Sequence, residues 1–183
     1  SLLRKYLEKN KIINEQITTL ETGTAIGFSA LCAAKAFEDA NLTNYKILTL
    51  DIIPSQIKIF WNKFGDEKGK RSREEILKDW DKLLNNIVFL SGDTKDILQN
   101  LFIKRINFAF LDAVHNKINV QREFRYVSEK QKVGDLIVFD DINKNQFPEL
   151  TEYLKNIGNK SDYEIEYLNS TDNRGYAIAK KIK

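Results

Sequence analysis

The chain reads as an α/β protein built on a seven-stranded, mostly parallel sheet, with helices on both faces and a C-terminal antiparallel hairpin. Three observations predict this. Short apolar runs alternate with amphipathic segments from end to end. Five of these runs are each followed by a helical segment, a pattern that needs parallel strands covered on both sides. The last two runs have no helix between them, so they pair antiparallel at one edge. With 183 residues, the chain is long enough for one domain, 1–183, and too short for two comfortable ones.

The elements follow in order. Residues 1–16 carry an N-terminal helix. The run 17–20 is the first strand, ending at Glu21 and a glycine loop, and residues 29–40, rich in Ala and Leu, form the next helix. Residues 47–50 are the second strand, ending at Asp51. Pro54 suits the first turn of a helix carrying Ile57, Phe60, Trp61 and Phe64. A lysine-rich link over 65–73 precedes helical spacing over 74–84, with Ile76, Leu77, Trp80, Leu83 and Leu84 on one face. Strand three, 87–90, ends at Gly92 and Asp93, and a short helix over 96–101 follows. Strand four, 107–111, ends at Asp112 and leads to an amphipathic helix over 120–131. Strand five, 136–139, ends at Asp140 and Asp141, before the last helix over 148–157. Runs 163–168 and 176–180, joined by a turn-rich stretch, are the closing hairpin.

Composition excludes several chemistries. One cysteine, Cys32, and one histidine, His115, rule out an intrachain disulfide, cysteine-rich zinc modules and sites built on two imidazoles. Cys32 falls on the apolar side of its helix and reads as core. The net charge of +3 comes from 29 basic and 26 acidic residues without a basic tract, so nucleic acid is not an expected partner. No apolar run reaches the length of a membrane span, and no signal-peptide pattern opens the chain. A cytoplasmic protein acting on a small-molecule substrate, with no membrane partner, is therefore the expectation. The chain opens at Ser1 and contains no methionine, so at least an initiator is expected upstream.

Strands in such sheets present ligand sites at their carboxyl ends, and here those ends carry Glu21, Asp51, Asp93, Asp112 and Asp140. The loop Glu-Thr-Gly-Thr-Ala-Ile-Gly-Phe-Ser over 21–29 has glycines at 23 and 27, which allow a tight turn and close approach to a ligand. It is not the GxGxxG of a dinucleotide site, because Ala25 stands where a middle glycine belongs. Taken alone, it reads as a plain strand-to-helix turn. Asp51, a little over twenty residues on, can accept both hydroxyls of a ribose, and Gly92-Asp93-Thr94 can meet a base. The three in order form a donor-site pattern that none makes alone.

These segments, with 106–115, 134–142 and 174–181, resemble the class I S-adenosylmethionine-dependent methyltransferases, which have a Rossmann-like fold. The likeness is nearest to the small metal-dependent O-methyltransferases related to catechol and macrocin O-methyltransferases. It implies S-adenosylmethionine as cofactor, bound by Glu21, Gly23, Thr24, Gly27, Ser29, Asp51, Gly92, Asp93, Thr94 and Asp112. In it, Glu21 and the glycine loop face the methionine part, Asp51 holds the ribose and Asp93 borders the adenine. Small members of that group often pair as homodimers, although no interface is legible in this chain.

Asp112, Asp140 and Asp141 end adjacent strands roughly 5 Å apart, and three carboxylates at one rim repel unless protons or a cation neutralise them. An all-oxygen set suits a hard ion such as Mg²⁺, and the resemblance implies the same three residues as its ligands. The bland alternative is strand-end acids that cap helices or face water. For the base, Asp112, His115 and Lys117 are candidates. The spacing of His115 after Asp112 matches an Asp-x-x-His of the resembling family, while most lysines of so lysine-rich a chain are simply solvated. Residues 54–86 are long for a crossover. Their aromatics (Trp61, Phe64 and Trp80) suit a substrate cap, and Lys68, Lys70, Arg71 and Arg73 suit attraction of an anion; the plainer reading is aromatics packed on the sheet beside a solvated helix start. The expected activity is metal-assisted O-methylation of a small hydroxylated molecule, a sugar or phenol. Alternatives are metal-independent O- or N-methylation and a noncatalytic methyltransferase-like binding module.

Overall fold

The protein was analysed as a computed structural model, which describes residues 2–10, 15–62, 66–143, 145–160, 162–169 and 175–183. Seven strands form one sheet: β1 (Ile17–Thr22), β2 (Tyr45–Asp51), β3 (Ile87–Ser91), β4 (Phe108–Leu111), β5 (Leu136–Phe139), β6 (Tyr163–Asn169) and β7 (Gly175–Lys181). Their spatial order is β3-β2-β1-β4-β5-β7-β6. The first five pair in parallel, and β7 lies antiparallel to both β5 and β6. The order reverses direction at β1 and β4, which puts the switch point, and the crevice it opens, at the ends of those two strands.

The helices are α1 (Leu2–Asn10), α2 (Phe28–Asp39), α3 (Arg73–Leu77), α4 (Asp81–Leu84), α5 (Thr94–Asn100), α6 (Lys117–Ser128) and α7 (Pro148–Lys160). Side chains alternate across a strand, so β1 contributes to both faces. Ile17 joins Ile47, Phe108 and Val138 beneath Leu3 and Leu7 of α1 and Leu31 and Phe37 of α2. Leu20 joins Leu50, Ala109 and Ile137 beneath Leu98 of α5, Val127 of α6 and Leu154 of α7. All six residues of β1 are buried, as befits a central strand. Away from the crevice, fully buried Asp135 accepts hydrogen bonds from Tyr6 Oη, Arg105 and the Lys132 amide, which ties the first helix to the sheet. Among the described residues no helix is long and apolar enough to cross a membrane.

Three expectations are corrected. Strand β1 runs on to Thr22, so Glu21 is a buried strand residue and not a rim acid. Cys32 is exposed, because the buried stripe of α2 runs through Ala30, Leu31, Ala34 and Phe37. The stretch expected as a helix after Pro54 is not helical. Ile59 forms an antiparallel bridge with Arg71, and the Trp61 indole N–H donates to the Arg71 carbonyl at 2.9 Å. Long-range partners outcompete local helical bonds there. Phe64 and Gly65 lie outside the described residues. The 74–84 expectation resolves into α3, one 3₁₀ turn (Lys78–Trp80) and α4, with Trp80 half-exposed.

On the α6 side, Thr22 Oγ1 donates to Glu123 Oε2 at 2.9 Å, while Glu123 Oε1 is buried without a partner. Burial pushes this carboxyl up from 4.5 to about 7, against hydrogen bonds from Thr22 and Thr94 that lower it. A raised folded-state value means that its contribution to stability is complete below about pH 4.5 and is lost as pH rises through about 7. Glu123→Gln keeps the acceptor for Thr22 and removes the titration. Between pH 4.5 and 7.5 this variant should lose roughly 3 kcal/mol less unfolding free energy than the parent, as an upper value, in urea titrations.

Candidate active site

The crevice at the switch point begins with Gly23. Its amide and that of Thr24 both donate to the Leu50 carbonyl, at 2.8 and 3.2 Å. Gly23 has φ +86°, and a Cβ there would lie 2.1 Å from the Asp112 carbonyl oxygen. Only glycine lets β1 turn this close to the end of β4. Ala25 then adopts φ +47°, a left-handed conformation that an alanine seldom takes. Gly27 precedes α2 at φ +85°, where a Cβ would crowd Leu77 Cδ1 at 3.0 Å.

A cleft of about 540 Å³ opens beside this loop, lined by Gly23, Asp51, Gly92, Asp93, Thr94 and Asp112 among others. Six of the expected donor-binding residues thus share one cavity. Glu21, Thr24, Gly27 and Ser29 stand behind the loop and not on the cleft wall. Thr24 and Thr49 hydroxyls are 2.6 Å apart, and Thr49 donates on to Glu21. Burial raises the Glu21 carboxyl to about 7, although hydrogen bonds from Ser29 and Thr49 and the charge of Arg73 pull the other way. Asp51 accepts from the Ile53 amide on Oδ1 at 2.8 Å and from the Ala25 amide on Oδ2 at 2.6 Å. Asp93 is exposed and caps α5 through the Lys95 amide at 2.8 Å.

Of the acids that end β4 and β5, Asp112 lines the cleft, whereas Asp140 and Asp141 are not part of its wall. Asp112 is pushed up to about 8 by burial, by a hydrogen bond shared with Asp140 and by the charges of Asp140, Asp141 and Glu21. Asp140 Oδ1 is buried and has no hydrogen-bond partner among the described residues. An acid pair of this kind fits a cation. Asp141, at φ +52°, instead turns its Oδ2 toward His115 Nε2 at 3.4 Å. Among the described residues no three His, Cys, Asp or Glu side chains close around a single point. The expected trio is thus a pair and a neighbour, not a preassembled centre. His115 Nε2 also lies 3.7 Å from Asp112 Oδ1, and its ring packs on Phe147. Lys117 is exposed and borders a different depression, with Gln121 and Glu149.

Residues 20–142 match a family described as a methyltransferase domain. The chain belongs to that family. No curated protein matches it. Among solved structures, it is similar to the O-methyltransferase TomG from Streptomyces achromogenes, involved in tomaymycin synthesis and solved with S-adenosylmethionine. Identity is 17%, the TM-score is 0.72, and the match covers 100% of this chain and 78% of that one. The O-methyltransferase NovP is similar at 17% identity and TM-score 0.71, over 100% of this chain and 78% of NovP. An O-methyltransferase from Bacillus cereus, in complex with S-adenosylhomocysteine, gives 16% identity and TM-score 0.67, over 98% of this chain and 79% of that one. The sheet order and terminal hairpin of this methyltransferase are those of the class I S-adenosylmethionine-dependent fold.

The residue that sequence reading misplaced is Arg73. It reads as one cation of a solvated link, yet it is 1% exposed. A signal for its position was present. Ser72 and Glu75 form a reciprocal capping box, which starts α3 at Arg73 and fixes where its side chain goes. For the loop itself, Gly23→Ala should abolish S-adenosylhomocysteine binding in calorimetry, because a methyl 2.1 Å from the Asp112 carbonyl forces β1 and β4 apart. Unchanged affinity would show that the loop tolerates a side chain there.

Proposed function

We propose that this methyltransferase binds S-adenosylmethionine in the cleft between Asp51 and Asp112 and transfers its methyl group to a hydroxyl of a small molecule. One observation carries the reading: Gly23, Asp51, Asp93 and Asp112 line a single cavity, and Asp112 shares a hydrogen bond with Asp140 beside it. The donor is a sulfonium, and the acids that line the cleft, Asp51, Asp93 and Asp112, suit a cation by charge. Transfer forms an O–CH₃ bond as the S–CH₃ bond breaks, leaves a neutral thioether and releases the hydroxyl proton. Asp112, which lines the cleft, and His115, whose Nε2 lies 3.7 Å from Asp112 Oδ1, are the groups to receive that proton. Lys117 is a poor candidate, because it is exposed and borders another depression.

Metal assistance belongs to the same proposal. Asp112, Asp140 and Asp141 would hold a divalent cation such as Mg²⁺, and the unpartnered Asp140 Oδ1 supports this. Such an ion, when bound, lowers the pKa of an acceptor hydroxyl and fixes its position. The protein's own part is alignment, which can supply several kcal/mol of the barrier. The metal-independent reading draws support from a different observation, the orientation of Asp141 toward His115. In that case the Asp112–His115 side of the cleft works alone. A small hydroxylated acceptor such as a sugar or phenol, a single domain over 1–183, a homodimeric assembly and a cytoplasmic location complete the proposal.

Calorimetry with S-adenosylhomocysteine should give saturable binding, weakened by roughly tenfold or more in Asp51→Ala, which removes a charged hydrogen-bond acceptor. A folded parent protein that binds neither donor nor product would sink the reading. Chelation should abolish methyl transfer while leaving S-adenosylhomocysteine binding in place, and Mg²⁺ should restore it. Activity that survives both chelation and an Asp140→Ala/Asp141→Ala change would remove the metal and leave the base-only route.

A further inference from the structure

We infer that the described residues of the 54–86 segment belong to the donor site, and that Arg73 is the positioning residue joining them to the glycine loop and Asp51. This rests on the cleft being the S-adenosylmethionine site. The guanidinium reaches two separate stretches of chain at once, the glycine loop and residues 51–55. Its Nε donates to the Ala25 carbonyl at 2.6 Å, and its Nη1 donates to the Ile53 carbonyl at 3.2 Å and to Ser55 Oγ at 3.0 Å. Its Nη2 lies 3.3 Å from Asp51 Oδ2, as an ion pair with no formal hydrogen bond.

The geometry has a clear consequence for Ala25. Its carbonyl accepts from Arg73 and its amide donates to Asp51 Oδ2, so both sides of a left-handed alanine are held. Conformations of this type persist only where their surroundings over-determine them, and Arg73 is a large part of those surroundings. The same contacts aim the Asp51 carboxylate. Two amides and a guanidinium fix its plane at the wall of the cleft that it lines.

Arg73 also organises the wall opposite. The guanidinium stands 5.7 Å from the Trp61 ring centroid and 5.8 Å from that of Phe89, within the range of cation–π attraction. Ile59, Phe60 and Trp61 line the same cleft as Asp51 and Gly92. The Ile59–Arg71 bridge and the Trp61 indole bond to the Arg71 carbonyl hold that wall in place. An acceptor cap would instead stand over Asp112 and Asp140. A lysine at 73 would keep the charge without the fork that reaches residues 25, 51 and 53 together.

The test uses the full chain carrying Trp80→Phe, so that Trp61 is the single tryptophan. S-adenosylhomocysteine binding is followed by calorimetry and Trp61 emission, and methyl transfer by donor and acceptor KM. Arg73→Ala should raise the donor Kd roughly 10- to 100-fold, as expected for losing charge-assisted hydrogen bonds. The donor KM should rise with it and the acceptor KM should stay unchanged. Arg73→Lys should recover part of the loss. Ser55→Ala, which removes one contact and leaves a folded chain, should weaken donor binding a few-fold and shift Trp61 emission. Donor affinity equal to the parent's in Arg73→Lys and Ser55→Ala, or a rise in acceptor KM alone, would overturn the inference while the donor reading stands. A folded parent that does not bind S-adenosylhomocysteine would overturn both.

Discussion

Where β1 and β4 end side by side, the α-carbon of Gly23 approaches the Asp112 carbonyl so closely that a methyl group would sit 2.1 Å from the oxygen. The rest of the crevice depends on that approach. It holds the loop down against the sheet, opens the space beside Asp51, and leaves the Asp112 side chain facing the cavity that Gly23 lines. The glycine loop and Asp112 are neighbours because two parallel strands stop at the same level with no Cβ between them. The sheet supplies rigidity here, since both strands are paired on each side and buried on both faces.

Around this contact the protein concentrates carboxyl groups in poorly solvated places. Glu21, Asp112 and Glu123 are all pushed toward neutral pH by burial, and Asp140 keeps an unpartnered oxygen. Such an arrangement is costly in an empty protein and becomes favourable when a cation arrives. A sulfonium donor and a divalent ion are the two cations that the proposed reaction brings. Arg73 is the protein's own contribution, buried beside Asp51 and close enough to Glu21 to lower its carboxyl. The electrostatics therefore favour ligand binding over the stability of the empty fold, a common state of affairs at functional sites.

Much of this was legible from local pattern. Apolar runs with period-two or continuous burial gave the strands to within a few residues, and the absence of a helix between the last two runs gave the hairpin. The acids at strand ends gave Asp51, Asp112 and Asp140, because strand termini are marked by the sequence and parallel topology brings them to one edge. Glu21 was harder, since nothing local says that a strand will run two residues further into the interior. The stretch after Pro54 was misread for a related reason. Its aromatic spacing suits a helix, but Ile59 and Trp61 find their partners at Arg71, a contact that no periodicity encodes.

The sequence by itself determined the α/β class, the order of the elements, the methyltransferase likeness and the residue types available for chemistry. These depend on short-range pattern and on composition, which a linear chain carries explicitly. The tertiary structure alone decided which of those residues share a cavity and which stand behind it. It buried Arg73 under the glycine loop, exposed Cys32, and brought Asp141 to His115. Each of these depends on side-chain direction and on contacts between distant segments, and both are fixed only when packing chooses one arrangement among those the local pattern allows.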